Sequence, residues 1–256
     1  MFFKKKKPFV RFVNLMPGVE HAHPVIKTQD MRVDWMRNAA LDYKERASTY
    51  IPGTGMLSGT NRCAGILQLF RTGFIIPAPI DFSIATTKGD LEAFQWTAPV
   101  NAQFQGHDYV MSHSASQLAK YIPFRQDTLH SILKINTRWR ASCSDDVIFL
   151  QMPVPYPEHN SFTAATGIFD FHQSPEINVQ LFWHHLNGVH MVKAGTPLCM
   201  LVPIPRDFNV DLIVETATME DRYKDSAWNY ISNKDFNKDI KAFYEASKNL
   251  LRFKSK

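Results

Sequence analysis

The sequence predicts a mainly β protein: antiparallel sheets arranged as a β-sandwich or jelly roll, with an N-terminal helical segment and a C-terminal amphipathic helix. Two observations predict it. From Phe74 onward the chain breaks into short apolar runs, many alternating apolar with polar, separated by Pro, Gly and Asn. The gaps between runs are too short for crossover helices, so parallel βαβ units do not fit and antiparallel pairing does. With 256 residues, 45% of them hydrophobic and 21% charged, the chain can bury a core, which excludes disorder and fibrous repeats.

Taken in order, residues 1–30 read as a basic arm containing Lys4, Lys5, Lys6, Lys7 and Arg11. Residues 31–216 read as the β-rich domain, entered through a helical stretch over 31–72. Met31, Trp35, Met36, Ala39, Ala40 and Tyr43 recur at helical spacing and predict a helix over Asp30–Arg46. Ile51–Gly59 is loop chemistry, and a short helix over Arg62–Arg71 is closed by Gly73. The predicted strands are Phe74–Ile76, Ile80–Ala85, Phe94–Thr97, Ser131–Asn136, Val147–Met152, Thr166–Phe171, Ile177–Trp183, Val189–Val192, Leu198–Ile204 and Leu212–Glu215. Ile80, Phe82 and Ile84 share one strand face, as do Val179, Leu181 and Trp183. Prolines 153, 155, 157, 203 and 205 mark strand ends or edges, because they cannot donate to a ladder. Residues 217–256 form the C-terminal helical segment: Ser232 and Asp235 offer a cap, and Phe236, Ile240, Phe243, Tyr244, Leu250 and Leu251 share a face.

The net charge is +5, with the excess at both ends. Such a balance favours encounter with acidic protein surfaces or nucleic acid, at a density below that of a dedicated nucleic-acid binder. Lys4, Lys5, Lys6 and Lys7, together with Phe236, Ile240, Phe243, Leu250 and Leu251, are the candidate partner contacts. No apolar run reaches the length of a bilayer-spanning helix, so no membrane partner is expected. The lysine run at the start is not followed by the apolar stretch of a secretion signal, which predicts that the chain stays in the cytoplasm of the cell that makes it. Cys63, Cys143 and Cys199 are odd in number and far apart, so neither a disulfide framework nor a zinc ribbon is encoded.

Few residues carry a recognisable chemistry. Asp170 and His172, at i and i+2, would share a strand face, and His184, His185 and His190 follow closely. A carboxylate with two imidazoles suits a single divalent metal such as iron in a jelly roll, which defines the alternative of a metal-dependent enzyme or small-molecule binder. The leading expectation carries no cofactor and no catalytic residues. There is no Gly-x-Ser-x-Gly, and the glycines from Gly53 to Gly59 are not followed by the Lys of a phosphate-binding loop. Arg138-Trp139-Arg140 and the segment Phe9–Phe12 could stack and pair with single-stranded nucleic acid, the second alternative.

One resemblance covers roughly residues 30–235. Asp34-Trp35, Gly73-Phe-Ile-Ile-Pro77, Phe169-Asp-Phe171 and Lys193-Ala-Gly-Thr-Pro-Leu198, the last leading into Pro203-Ile-Pro-Arg206, resemble an uncharacterised domain family. That family is encoded by marine phages of the large contractile-tailed, cyanophage-like type and by some bacteria. Met200 stands where many members carry Gln, and Cys63-Ala64 where many carry Cys-Pro. The resemblance implies a phage origin and hence a virion structural or accessory protein, homo-oligomeric, working through contacts with other virion proteins. Arg206, at the end of the last long strand, is a candidate partner for Asp81 or Asp170, and Gly195-Thr-Pro197 for a tight turn.

Overall fold

The computed structural model describes residues 7–38, 41, 63–99, 108–114, 117, 127–207 and 210–224. The chain divides into two compact units, Met1–Phe208 and Asn209–Lys256. The first is mainly β. In chain order its elements are β1 (Val10–Asn14), α1 (Val19–Ala22), β2 (Ile26–Lys27), a 3-10 helix (Thr28–Asp30), α2 (Ala64–Arg71), β3 (Phe74–Pro77), β4 (Phe82–Thr86), β5 (Phe94–Thr97) and β6 (Val110–His113). There follow β7 (Ile132–Cys143), β8 (Val147–Met152), β9 (Phe162–Ala164), β10 (Gly167–Phe169), β11 (Glu176–Trp183), β12 (Gly188–Val192) and β13 (Pro197–Pro205).

Every pairing among the described strands is antiparallel, as the short connections require. They form three sheets. The first runs β1-β7-β11-β9 with β6 also on β7, the second β10-β8-β13-β3-β2, and the third β12-β4-β5. One core draws on all three: Ile135, Trp139, Leu181 and Trp183 from the first, Ile76, Phe149 and Leu201 from the second, Phe82, Ile84 and Val192 from the third. Each such side chain contributes roughly 1.5–3 kcal/mol by leaving water. Strand alternation places these residues. In β11 Ile177, Val179, Leu181 and Trp183 are buried while the residues between them are less so, the period of two legible in the sequence.

Several expectations shift. Val10–Asn14, read as part of a basic arm, is β1, paired along its length with Cys143 to Trp139 of β7. The reason is alternation inside the basic run: Val10 and Phe12 pack on the core while Arg11 stays exposed. The strand expected to end at Asn136 continues to Cys143. A bulge carries it past Arg138, whose φ of 60° leaves Ile177 facing an irregular step between Asn136 and Arg140. Leu212–Glu215 is not a strand; residues 211–218 have no partner strand, and Leu212, Ile213 and Val214 are exposed. Within the expected Asp30–Arg46 helix, residues 34–38 are helical, and much of the rest lies outside the described residues.

In the second unit residues 219–224 are helical. Thr218 caps them reciprocally: its N–H and hydroxyl donate to the Asp221 carboxylate at 2.9 and 2.6 Å, and the Asp221 N–H donates back to the Thr218 hydroxyl at 3.2 Å. The apolar stripe at Phe236, Ile240, Phe243, Leu250 and Leu251 lies outside the described residues, as do Lys4, Lys5 and Lys6; Lys7 is exposed. No helix among the described residues is long and apolar enough to cross a membrane.

Candidate functional site

The residues expected to share a metal fall into two arrangements. Asp170 and His172 are not on a strand face. They occupy the turn between β10 and β11, where the Gln173 and Ser174 N–H groups donate to the Asp170 carbonyl at 3.0 and 2.9 Å. Arg206, at the end of β13, grips the Asp170 carboxylate with both terminal nitrogens, Nη2 to Oδ1 at 2.8 Å, and its Nε donates to the Asp145 carbonyl at 2.7 Å. Of the two partners proposed for Arg206, the structure thus shows Asp170; Asp81 is held instead by Lys193 Nζ at 3.1 Å and the Ala194 N–H at 2.8 Å. The guanidinium, and after it the His172 N–H, holds the Asp170 carboxyl well below its ordinary range. His172 Nε2 sits 3.1 Å from the Asp145 carboxylate and its Nδ1 3.0 Å from Arg206 Nη2. The same Nδ1 also lies 3.2 Å from Asp170 Oδ1. This cluster ties three chain segments together: the β7–β8 turn, the β10–β11 turn and the end of β13.

His184 and His185 border a cleft of about 600 Å³, where β11 leaves the first sheet toward β12 of the third. It is lined by His184 and His185 with Asp127, His159, Ser161 and Thr163. The His184 ring is bracketed by two hydroxyls, Thr128 at 2.9 Å from Nδ1 and Thr163 at 2.8 Å from Nε2. Both nitrogens are thereby occupied, which gives the ring a fixed, structural position. His190, on β12, lies with its ring centre 5.2 Å from that of His185 and 5.6 Å from that of Trp183, edge to face with the indole. Its Nδ1 is 3.4 Å from the Ser161 hydroxyl. His159 was not anticipated. It lies alone in sequence, on the loop before β9, and packs its ring 4.2 Å from Phe162 with its Nδ1 buried and without a partner. Burial, and then the neighbouring His190, hold its pKa below the ordinary value; burial and His185 do the same to His190. Burial thus favours the neutral form of these two rings. Among the described residues no group of three or more His, Cys, Asp and Glu side chains is arranged to hold a metal ion.

Trp139 of the expected stacking tripeptide is 3% exposed, and Arg138 6%. A face that deep in the first sheet presents no ring to a base. At the other expected stacking segment Phe12 packs edge to face on Phe74 at 5.4 Å, leaving Phe9 exposed.

The third sheet presents an uncharged outer face. Val189 and Met191 of β12 oppose Ala85 and Ser83 of β4, which oppose Gln95 and Thr97 of β5. Ser83 and Thr97 share a hydroxyl hydrogen bond of 2.6 Å, and no Lys, Arg, Asp or Glu interrupts the six. Val189 is 68% and Met191 52% exposed on a strand that among the described strands pairs only with β4. Edge strands of soluble proteins ordinarily carry a charge, a proline or a covering loop against association, and this one has neither charge nor proline.

No family model, curated protein or solved structure matches the chain.

Proposed function

We propose that the protein is a phage-encoded virion structural or accessory component that works by protein–protein contact within a larger assembly, including contact with further copies of itself. The observation that carries this reading is the third sheet, an uncharged face ending in an edge strand that exposes Val189 and Met191. A face of this kind costs solubility in an isolated protein and is useful where a neighbour covers it. The sequence resemblance to a phage-encoded family supports the same reading, and so does the further apolar stretch Val210, Leu212, Ile213 and Val214, at least 72% exposed at each position. The expected test uses sedimentation of the purified full chain. Wild type sediments as an oligomer, and the double variant Val189→Lys, Met191→Lys, which adds charge only where side chains already face water, sediments as a folded monomer. A wild-type monomer, or an oligomer indifferent to the two lysines, would count against this surface.

A further inference from the structure

Two features of the chain match each other and find no match within it. The first is the open edge of the third sheet. Among the described strands that pair with a single neighbour, β12 alone joins a length of five residues to the absence of Lys, Arg, Asp and Glu; β1, equally long, carries Arg11. An edge strand presents a row of backbone donors and acceptors that a further strand can pair with.

The second feature is the segment 210–214, which is neither helix nor strand. Val210, Leu212, Ile213 and Val214 are 72%, 88%, 75% and 83% exposed, although their composition suits a half-buried strand. In an extended chain Val210, Leu212 and Val214 project to one side, and Asp211 and Glu215 to the other with Ile213. The segment is as long as β12 and has no partner strand in its own chain.

We propose that residues 210–214 of one copy add as a fourth strand to the open edge of β12 in a second copy. Val210, Leu212 and Val214 then lie beside Val189 and Met191 on the uncharged outer face, where cross-strand apolar pairs stabilise a sheet. Asp211 and Glu215 fall on the side of His190, where β12 carries no acid to repel them. One contact thus covers both the exposed edge and the exposed apolar segment.

The pairing rests on the assembly reading above and specifies its mode, so its test reads the segment apart from the edge. Hydrogen exchange of the full chain, followed by mass spectrometry, is compared at a concentration where it sediments as an oligomer and after dilution. Exchange is expected to be slower in the oligomer at both 188–192 and 210–214. Leu212→Pro with Ile213→Pro replaces exposed residues outside any helix or strand. Successive N–H groups of a strand point to opposite sides, so one of the two prolines removes a donor aimed at β12. This variant is expected to associate about tenfold more weakly, the factor one hydrogen bond supplies. An oligomer that Val189→Lys with Met191→Lys breaks but the two prolines leave intact, or in which 210–214 is unprotected, overturns this pairing while the assembly surface stands. A wild-type monomer overturns both.

Discussion

Replacing Gly73 by alanine isolates one backbone contact in the second sheet. Gly73 leads from α2 into β3 with φ of 90°, and a Cβ there would stand 2.5 Å from the Leu201 carbonyl oxygen and 3.0 Å from the Met200 methyl. The methyl can swing aside. The carbonyl cannot, because Leu201 pairs with Phe74 on one side and Gln151 on the other, in the strand at the centre of its sheet. Relief to 3.0 Å, itself a tight contact, needs β13 or the Gly73 turn to move by about 0.5 Å against packed neighbours. The left-handed conformation costs an L-residue about 1–2 kcal/mol, and the forced shift about 1–3 kcal/mol more. Gly89→Ala is the matched control: its φ is 87° and nothing lies within 4 Å of the added carbon, so it incurs only the conformational cost. Urea unfolding should show Gly73→Ala destabilising by about 2–5 kcal/mol and Gly89→Ala by about 1–2 kcal/mol, with unchanged slopes. Equal losses at the two sites would refute the close-approach reasoning and leave only backbone strain. The same contact gives a physical reason for glycine at the head of the Gly73-Phe-Ile-Ile-Pro77 motif.

The remaining predictions concern titration. His159 and His190 have folded pKa values below their ordinary 6.5, so the stability they lend is present above that pH and is lost as pH falls toward the folded values. The urea midpoint should therefore drop between pH 7.5 and pH 5, and His159→Gln with His190→Asn should flatten that drop; an unchanged slope would contradict the clustered, neutral arrangement. Asp170 behaves oppositely in range: its carboxyl lies below 3.8, so its contribution persists through neutral and mildly acid pH and is lost only in strong acid. Arg206→Gln should raise the Asp170 carboxyl pKa toward the ordinary value in a carbon-detected NMR titration, lower stability at neutral pH, and make the further loss of stability in strong acid shallower than in wild type.

The strands legible in the sequence are those whose alternation is uninterrupted and whose ends are marked. Phe94–Thr97 and Val147–Met152 begin and end where the residue pattern predicts, because polar turns and prolines delimit them. The extension of β7 through Arg138 and Arg140 was hidden because two arginines in a strand read as surface; a bulge accommodates the first, buried, and Glu176 pairs with the second at 2.9 Å. β9 is three residues long, too short for a period to register, and β6, Val-Met-Ser-His, carries no apolar–polar alternation. Leu212–Glu215 has the composition of a strand, but composition supplies no partner, and a ladder needs one. The site was legible in part for a related reason. His184, His185 and His190 are near in sequence and lie at neighbouring ends of β11 and β12, whereas His159 joins them only through the return of β9 along β11. Arg206, marked by the end of β13, was readable as a carboxylate partner, but the sequence left Asp81 and Asp170 as alternatives; only the turn after β10 brings Asp170 to the guanidinium.

Quantitative mass spectrometry of purified particles tests the central claim most directly. On the proposed reading, virions of a phage carrying this sequence are purified and the chain is counted against the major capsid protein. An assembly component should be present at a fixed, reproducible copy number consistent with a symmetric ring or shell. Absence from washed particles, or a ratio that varies from one preparation to the next, would contradict the account.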